Sequence, residues 1–298
     1  MNLNGVAIDD SFAEAFGMRA TRILITADSA DWARTAAASM TGFASSVIAC
    51  GCEASIEREL PPAETPDGRP GVAVLVFAVS SKDLQAQLVV RVGQCVLTSA
   101  GSACFSGLDA PETLKLGAQL RYFGDGFQIA KRFGPRRYWR IPVMDGEFVC
   151  EHQVGMVRGV GGGNFLILAA SRAAALAAAE RAAAAIRALP NVILPFPGGL
   201  VRSGSKIGSR YKGLVASTND AFCPTLKAQT ATRLTPDTAA VLELVIDGLT
   251  ADDVRAAMRA GIAAACDAGR EGGVLQITAG NYGGKLGQFH FHLREIMA

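Results

Sequence analysis

The sequence predicts an α+β protein built from two copies of one split β-α-β unit, and three observations carry this reading. Short apolar runs of strand length alternate with longer stretches of helical period. The order strand, helix, strand, strand, helix, strand occurs once in each half of the 298 residues. The halves also match locally: RILITADSADWARTAAA from Arg22 answers NFLILAASRAAALAAAE from Asn164, and CVLTSAGSACFSG from Cys95 answers VLQITAGNYGGKLG from Val274. Two such units form two ferredoxin-like lobes, expected over 1–157 and 158–298 and joined near Gly155 to Gly163.

In the first half, Arg22 to Ala27 reads as a buried strand and Ser29 to Met40 as a helix capped by Ser29. Ser46 to Cys50 is expected as the second strand, followed by a polar, Pro-rich excursion. Val72 to Val79 is the third strand, Lys82 to Val92 the second helix, and Gln94 to Ser99 the fourth strand. Gly107 to His152 is extra. Its apolar runs QLRYF, RYWRIPV and EFVCEH predict a small β appendage, with turns at Gly124-Asp125-Gly126 and Asp145-Gly146.

The second half follows the same order. Asn164 to Ala169 is a strand, Ala173 to Leu189 a helix with Ser171 ahead of it, and Asn191 to Phe196 a strand. Val241 to Leu249, Ala251 to Ala268 and Val274 to Ala279 complete the unit as strand, helix and strand. Four antiparallel strands with both helices on one face leave the other face open.

Composition narrows the classes. Half the residues are hydrophobic, ample for buried cores, and the net charge of +2 is too small to argue for nucleic acid. The basic cluster KRFGPRRYWR (Lys131 to Arg140) reads as a hairpin surface. The most apolar tract, Ala173 to Leu189, is broken by Glu180, Arg181 and Arg187, which excludes a span of that length. No signal-peptide pattern opens the chain, so a cytoplasmic location is expected. Seven cysteines with one C-x-C pair read as buried reduced thiols.

Between the second and third strands of the second unit lies Pro195 to Leu226, dense in Gly, Ser and Pro, with Arg202, Lys206, Arg210 and Lys212 and no acid before Asp220. Long loops inside compact domains are functional or disordered. Phe196, Leu200, Val201, Ile207, Leu214, Val215 and Phe222 are spaced as anchors, which predicts an ordered, site-forming segment.

Glu243 is the candidate acid/base. With period 2, Leu242, Leu244 and Ile246 face the helices and Val241, Glu243, Val245 and Asp247 the open face. A carboxylate desolvated between valines has a raised pKa, as a general acid near neutral pH requires. From pattern alone, a surface glutamate paired with an arginine is the better reading. The glycine runs GVGGGNF and GNYGGKLG fit neither the dinucleotide nor the P-loop pattern, although glycines let backbone N–H groups approach an anion or carbonyl oxygen; tight turns are the alternative. His290, His292 and His152 lack a completing ligand, so no metal site is expected.

Taken together, NGVAIDDSFAEAF, TGFASSVIACGCEASIE, TPDGRPGVAVL, RVGQCVLTSAGSACF, YFGDGFQ, IPVMDGEF, GGGNFLILA, PFPGGLVRSGSKIGS, ASTNDAFCPTL, VLELVIDGL and TAGNYGGKLGQFHFHL, in this order, resemble the formylmethanofuran:tetrahydromethanopterin formyltransferase family over the whole chain. The resemblance implies two ferredoxin-like lobes and an N-formyltransferase using methanofuran and tetrahydromethanopterin as carrier substrates, with no tightly bound cofactor. It also implies a homotetramer, a dimer of dimers with sites at subunit contacts. The alanine-rich, weakly charged chain is similar to the methylotroph version in formaldehyde oxidation, the formyltransferase component of a formyltransferase/hydrolase complex that passes formyl toward methanofuran.

The same resemblance makes Glu243 the acid/base, reversing the pattern-only preference. It implies carrier contacts from Pro195, Phe196, Pro197, Gly198, Gly199, Ser203, Ser205, Lys206, Ser217, Asn219, Asp220, Asn281 and Lys285, any of which holds its loop instead if the role is structural. The alternative is a catalytically silent carrier-binding or scaffolding subunit of such a complex.

Overall fold

The computed structural model describes residues Met1–Ala298 as two compact units, one comprising Met18–Gly159 and the other Met1–Gly17 with Val160–Ala298. The chain leaves and re-enters the second of these inside strands. The later crossing falls between Gly159 and Val160, where the lobe boundary was expected between 157 and 158. The first 17 residues, expected in the N-terminal lobe, belong instead with the C-terminal unit.

In the Met18–Gly159 unit, β1 (Phe12–Thr26, its later part) leads to α1 (Ala30–Thr41), β2 (Glu53–Leu60), β3 (Gly71–Ala78), α2 (Ser81–Arg91) and β4 (Ala103–Ser106). The sheet order is β4-β1-β3-β2, all antiparallel. Ile23 lies opposite Val74 and Ile25 opposite Val72, and this row packs on Ala33, Ala37, Leu84 and Leu88 of the two helices. Ser29 and Ser80 accept from the N–H groups of Trp32 and Asp83, caps worth about 1 kcal/mol each.

Two expected strands here are helical. Val47–Cys50 is a single turn: Ser46 caps it, the Glu53 carboxylate accepts from Val47 N–H, and left-handed Gly51 ends it. The second strand is instead EASIEREL, inside the stretch read as excursion. Gln94 to Ser99 prolongs α2 through a π turn, Val92–Val96, which buries Val92 and Val96; the fourth strand follows it. β-branched residues and a run of strand length mimicked strands at both places, and tertiary packing decided otherwise.

The appendage extends the sheet beyond β4. β5 (Ile129–Phe133), β6 (Arg136–Val143) and β7 (Gly146–Glu151) form two hairpins, and β7 joins β4 in parallel. QLRYF, expected as a strand, is helical: Leu120 is buried, and the Arg121 guanidinium lies 4.8 Å from the centre of the Trp139 ring.

In the other unit, β8 (Gln153–Ala169, its later part) is followed by α3 (Arg172–Arg187), β9 (Val192–Ile193), β10 (Ala240–Gly248), α4 (Ala251–Ala265) and β11 (Val274–Thr278). Their order is β11-β8-β10-β9, the same antiparallel arrangement. Val6–Ile8 adds in parallel to β11, and β12 (Phe289–His292) pairs with residues 12–15 of β1. Ser171 and Thr250 cap α3 and α4. Alanines on α3 admit α4 closely enough that a Cβ at Gly261 would fall 2.7 Å from Ile186 and 2.9 Å from Phe165.

The helix-free face of this sheet is not left open. Phe222 from the long loop and Leu234 from the segment after it pack on Leu166, Leu168 and Val241. The loop thereby becomes one wall of a site and β10 the other. No helix is long and apolar enough to cross a membrane.

Candidate active site around Glu243

Alternation along β10 sends Leu244 and Ile246 into the helix-side core and Glu243 to the loop side. Glu243 is paired across the sheet with Leu166, which is paired on its other side with Thr278. The loop returns to the strand at this point: Val201 N–H donates to the Glu243 carbonyl at 2.7 Å, and Glu243 N–H donates back at 2.9 Å. The acid therefore has a rigid backbone.

Its side chain projects into a cavity of about 600 Å³ lined by β10, the start of α3 and the loop. Burial alone raises the Glu243 carboxyl to about 7; no hydrogen bond or cation offsets it. The residue keeps part of its surface open to the cavity, so the proton has a way in and out. An arginine partner, which the surface-glutamate reading required, is not present.

The structure distributes the other candidate residues unevenly. Ser203 and Asn219 line the cavity with Glu243, and their side chains make no hydrogen bond within the protein. Lys206 and Asp220 are bonded to each other at 2.6 Å, which holds the Asp220 carboxyl below its usual range. Ser217, paired with Lys206 in a two-residue ladder, donates its hydroxyl to Gly208 O at 2.7 Å. Ser205 lies exposed beside that ladder. Pro195, Phe196, Pro197, Gly198 and Gly199 do not line the cavity; they form the turn that delivers Val201 to β10. Gly198 and Gly199 sit at φ 63° and 80°, positions that glycine adopts without strain.

Asn281 and Lys285 belong to a second loop, 280–287, whose anion is internal. The Glu14 carboxylate, on a residue 1% exposed, accepts four backbone N–H groups: Tyr282 and Gly284 on Oε2 at 2.7 and 2.8 Å, Leu286 and Gly287 on Oε1 at 2.6 Å each. Burial would raise this carboxyl, but the four donors win and lower it to about 2. Asn281 serves the same loop, donating to Phe12 O and accepting from Gly283. Asn164 clamps its start, accepting from Gly280 N–H at 2.7 Å and donating to Gly280 O at 3.0 Å. Lys285 is exposed.

The histidines hold no metal cluster: His290 and His292 each lie 5.1 Å from the ring of Phe12, and no group of three or more His, Cys, Asp or Glu converges anywhere.

Known proteins resemble the chain over its whole length. The family model described as formylmethanofuran-tetrahydromethanopterin formyltransferase matches residues 1–143, and the model of that family's proximal lobe matches 146–296. The chain belongs to this formyltransferase family. It is 66% identical to the formylmethanofuran–tetrahydromethanopterin formyltransferase of Methylococcus capsulatus over the full length of both. It is 55% identical to one subunit of the formyltransferase/hydrolase complex of Methylorubrum extorquens, over 99% of this chain and 97% of that one. A chain in the crystal structure of the Methylorubrum extorquens formyltransferase/hydrolase complex with methylofuran superposes with a TM-score of 0.97 at 54% identity, covering 100% of this chain and 99% of that one. The Methanosarcina barkeri formyltransferase gives 0.93 at 46% identity, covering 99% of this chain and 100% of that one.

Within this formyltransferase fold only one unit carries the acid. Leu24 and Leu166 each stand five residues before a capping serine, Ser29 and Ser171; Leu166 pairs with Glu243 but Leu24 pairs with Ala73. Sequence reasoning missed Glu14, whose signal was an acid between alanines on an apolar strand, and the cavity-lining Arg172, which has no local signal; Arg202 was marked only as one of the basic residues of the site-forming loop.

Proposed function

We propose that the chain is an N-formyltransferase exchanging a formyl group between the amine of methanofuran and a ring nitrogen of tetrahydromethanopterin, with Glu243 as the acid/base. One observation carries the assignment of the acid: a carboxyl with no protein partner, held near pKa 7 in a cavity whose backbone is fixed by the Val201 bridge. Full-length relatives bearing the formyltransferase name support the reaction and its two carriers.

The chemistry has three needs. The accepting nitrogen attacks the formyl carbon, giving a tetrahedral oxyanion; the leaving nitrogen is protonated as its C–N bond breaks; the accepting nitrogen loses its proton. A group with pKa near 7 is about half protonated at neutral pH, so Glu243 gives a proton to one amine and takes one from the other. The same group serves both directions. Ser203 and Asn219, with free donors on the cavity wall, are placed to stabilise the oxyanion, and the fixed loop holds the two reactants in line.

Assembly as a homotetramer, and association with hydrolase subunits, belong to the same proposal. Ile207, Tyr211, Leu214 and Val215 expose 56%, 75%, 56% and 68% of their surface on the site loop, a patch that a neighbouring copy would cover, and a relative is named as part of a formyltransferase/hydrolase complex. The deciding experiment is formyl exchange between the two carriers by the purified chain alone, assayed in both directions. Exchange is expected both ways; none in either, from a folded chain, would leave the carrier-binding role instead.

A further inference from the structure

The charged side chains lining the Glu243 cavity are Glu243 itself, Arg172 and Arg202. Most other arginines of the chain are engaged: Arg22 with Glu57, Arg69 with Asp28 and Asp67, Arg136 with Asp109 and Glu151, Arg91 with three backbone carbonyls. Arg172 and Arg202 have no hydrogen bond or ion pair in the protein, and no acid other than Glu243 shares their cavity. Arg172 also occupies the first position of α3, where the positive end of the helix disfavours a cation. Its placement there is not explained by stability.

Both arginines are anchored at the backbone. Arg172 follows the capping residue Ser171, and Arg202 follows Val201, which is bonded to Glu243. Between them the cavity wall is largely apolar, with Val241, Leu166 and Leu176. Two exposed guanidiniums at the rim of one cavity, neither bonded to a carboxylate, match a planar or tetrahedral oxyanion group, which an arginine fork binds by two parallel hydrogen bonds.

We infer that Arg172 and Arg202 form an anion clasp that anchors a carboxylate or phosphate group of one carrier while the reacting nitrogen of that carrier lies at Glu243. The inference rests on the formyl-transfer reading of this site and assigns it a ligand chemistry. Binding through the clasp is equal in the ground and transition states, so it acts on KM and leaves kcat.

The test uses the full chain with Arg172→Gln, Arg202→Gln, the double variant, and Arg172→Lys as a conservative control. Each Gln variant should raise KM for one and the same carrier about tenfold, as loss of one charged hydrogen bond would. The kcat should stay within about twofold and the other carrier's KM should not move. The lysine variant should recover part of the loss. Inorganic phosphate and succinate are run as competitors: the one that inhibits the wild type and no longer inhibits the double variant identifies the anion. Unchanged KM for both carriers in a double variant with normal melting overturns the clasp, as does inhibition by neither competitor. Calorimetric titration of each carrier into wild type and double variant reads the clasp without turnover. A wild type that binds carriers but exchanges no formyl therefore counts against the function alone, and equal binding by both proteins counts against the clasp alone.

Discussion

Val201 and Glu243 exchange both of their backbone hydrogen bonds, at 2.7 and 2.9 Å, outside any longer strand pairing. This single bridge ties the long excursion to the sheet beside the one carboxyl that is desolvated without compensation. Loop order and acid placement are thus one structural fact.

Glu243→Gln keeps size and hydrogen bonding but cannot titrate. Turnover should fall by roughly a hundredfold or more with carrier binding little changed. Steady-state kinetics with calorimetric binding checks this, and a Gln variant with normal turnover removes Glu243 from the mechanism.

The same variant has a distinctive stability profile. Because the folded pKa of Glu243 is raised, from 4.5 to about 7, its folded-state contribution is fully present below pH 4.5 and declines as pH rises toward 7. The loss is at most about 3 kcal/mol, less after allowance for the side of the residue open to solvent. Glu243→Gln should therefore melt near wild type at pH 5 and above it at pH 8; a lower Tm at pH 8 would mark a structural ion pair instead.

Glu14 has the opposite sign. Its folded pKa is depressed to about 2, so its contribution is present above pH 4.5 and is lost as pH falls from 4.5 toward 2, at most about 3 kcal/mol. In Glu14→Gln the amide oxygen can face one pair of N–H donors while the amide NH2 opposes the other pair. Two buried donors left unsatisfied should lower stability by about 2–4 kcal/mol, with faster hydrogen exchange at 282–287. Unchanged exchange there would contradict the loop assignment.

Lys206 and Asp220 are partly exposed, 45% and 31% by side chain, so Lys206→Met should leave the melting temperature nearly unchanged. If the pair holds the site loop in its carrier-binding shape, Lys206→Met and Asp220→Asn each raise a carrier KM severalfold and the double variant is no worse than either. Additive losses would instead indicate two separate carrier contacts.

The active unit should be at least a dimer, because the site loop exposes Ile207, Tyr211, Leu214 and Val215. Sedimentation at assay concentration checks this, and a fully active monomer rejects it.

Local pattern is enough for whatever depends on neighbours within about four residues. Capping serines at 29 and 171 and the helices behind them are where the pattern placed them, and alternation along Val241 to Asp247 correctly turned Glu243 away from the helices. Where two local signals competed, the tertiary structure decided: Ser46 to Cys50 and Gln94 to Ser99 are strand-like in composition, yet a serine cap and burial of Val92 and Val96 make them helical. The site's electrostatics were illegible locally for a different reason. Glu14 meets its four donors across more than 260 positions of sequence, and Arg172, Arg202 and Glu243 come from a helix, a loop and a strand that only the folded sheet brings to one cavity. Whether a loop residue such as Asn219 is free and Lys206 engaged is likewise set by who stands opposite, which periodicity does not encode.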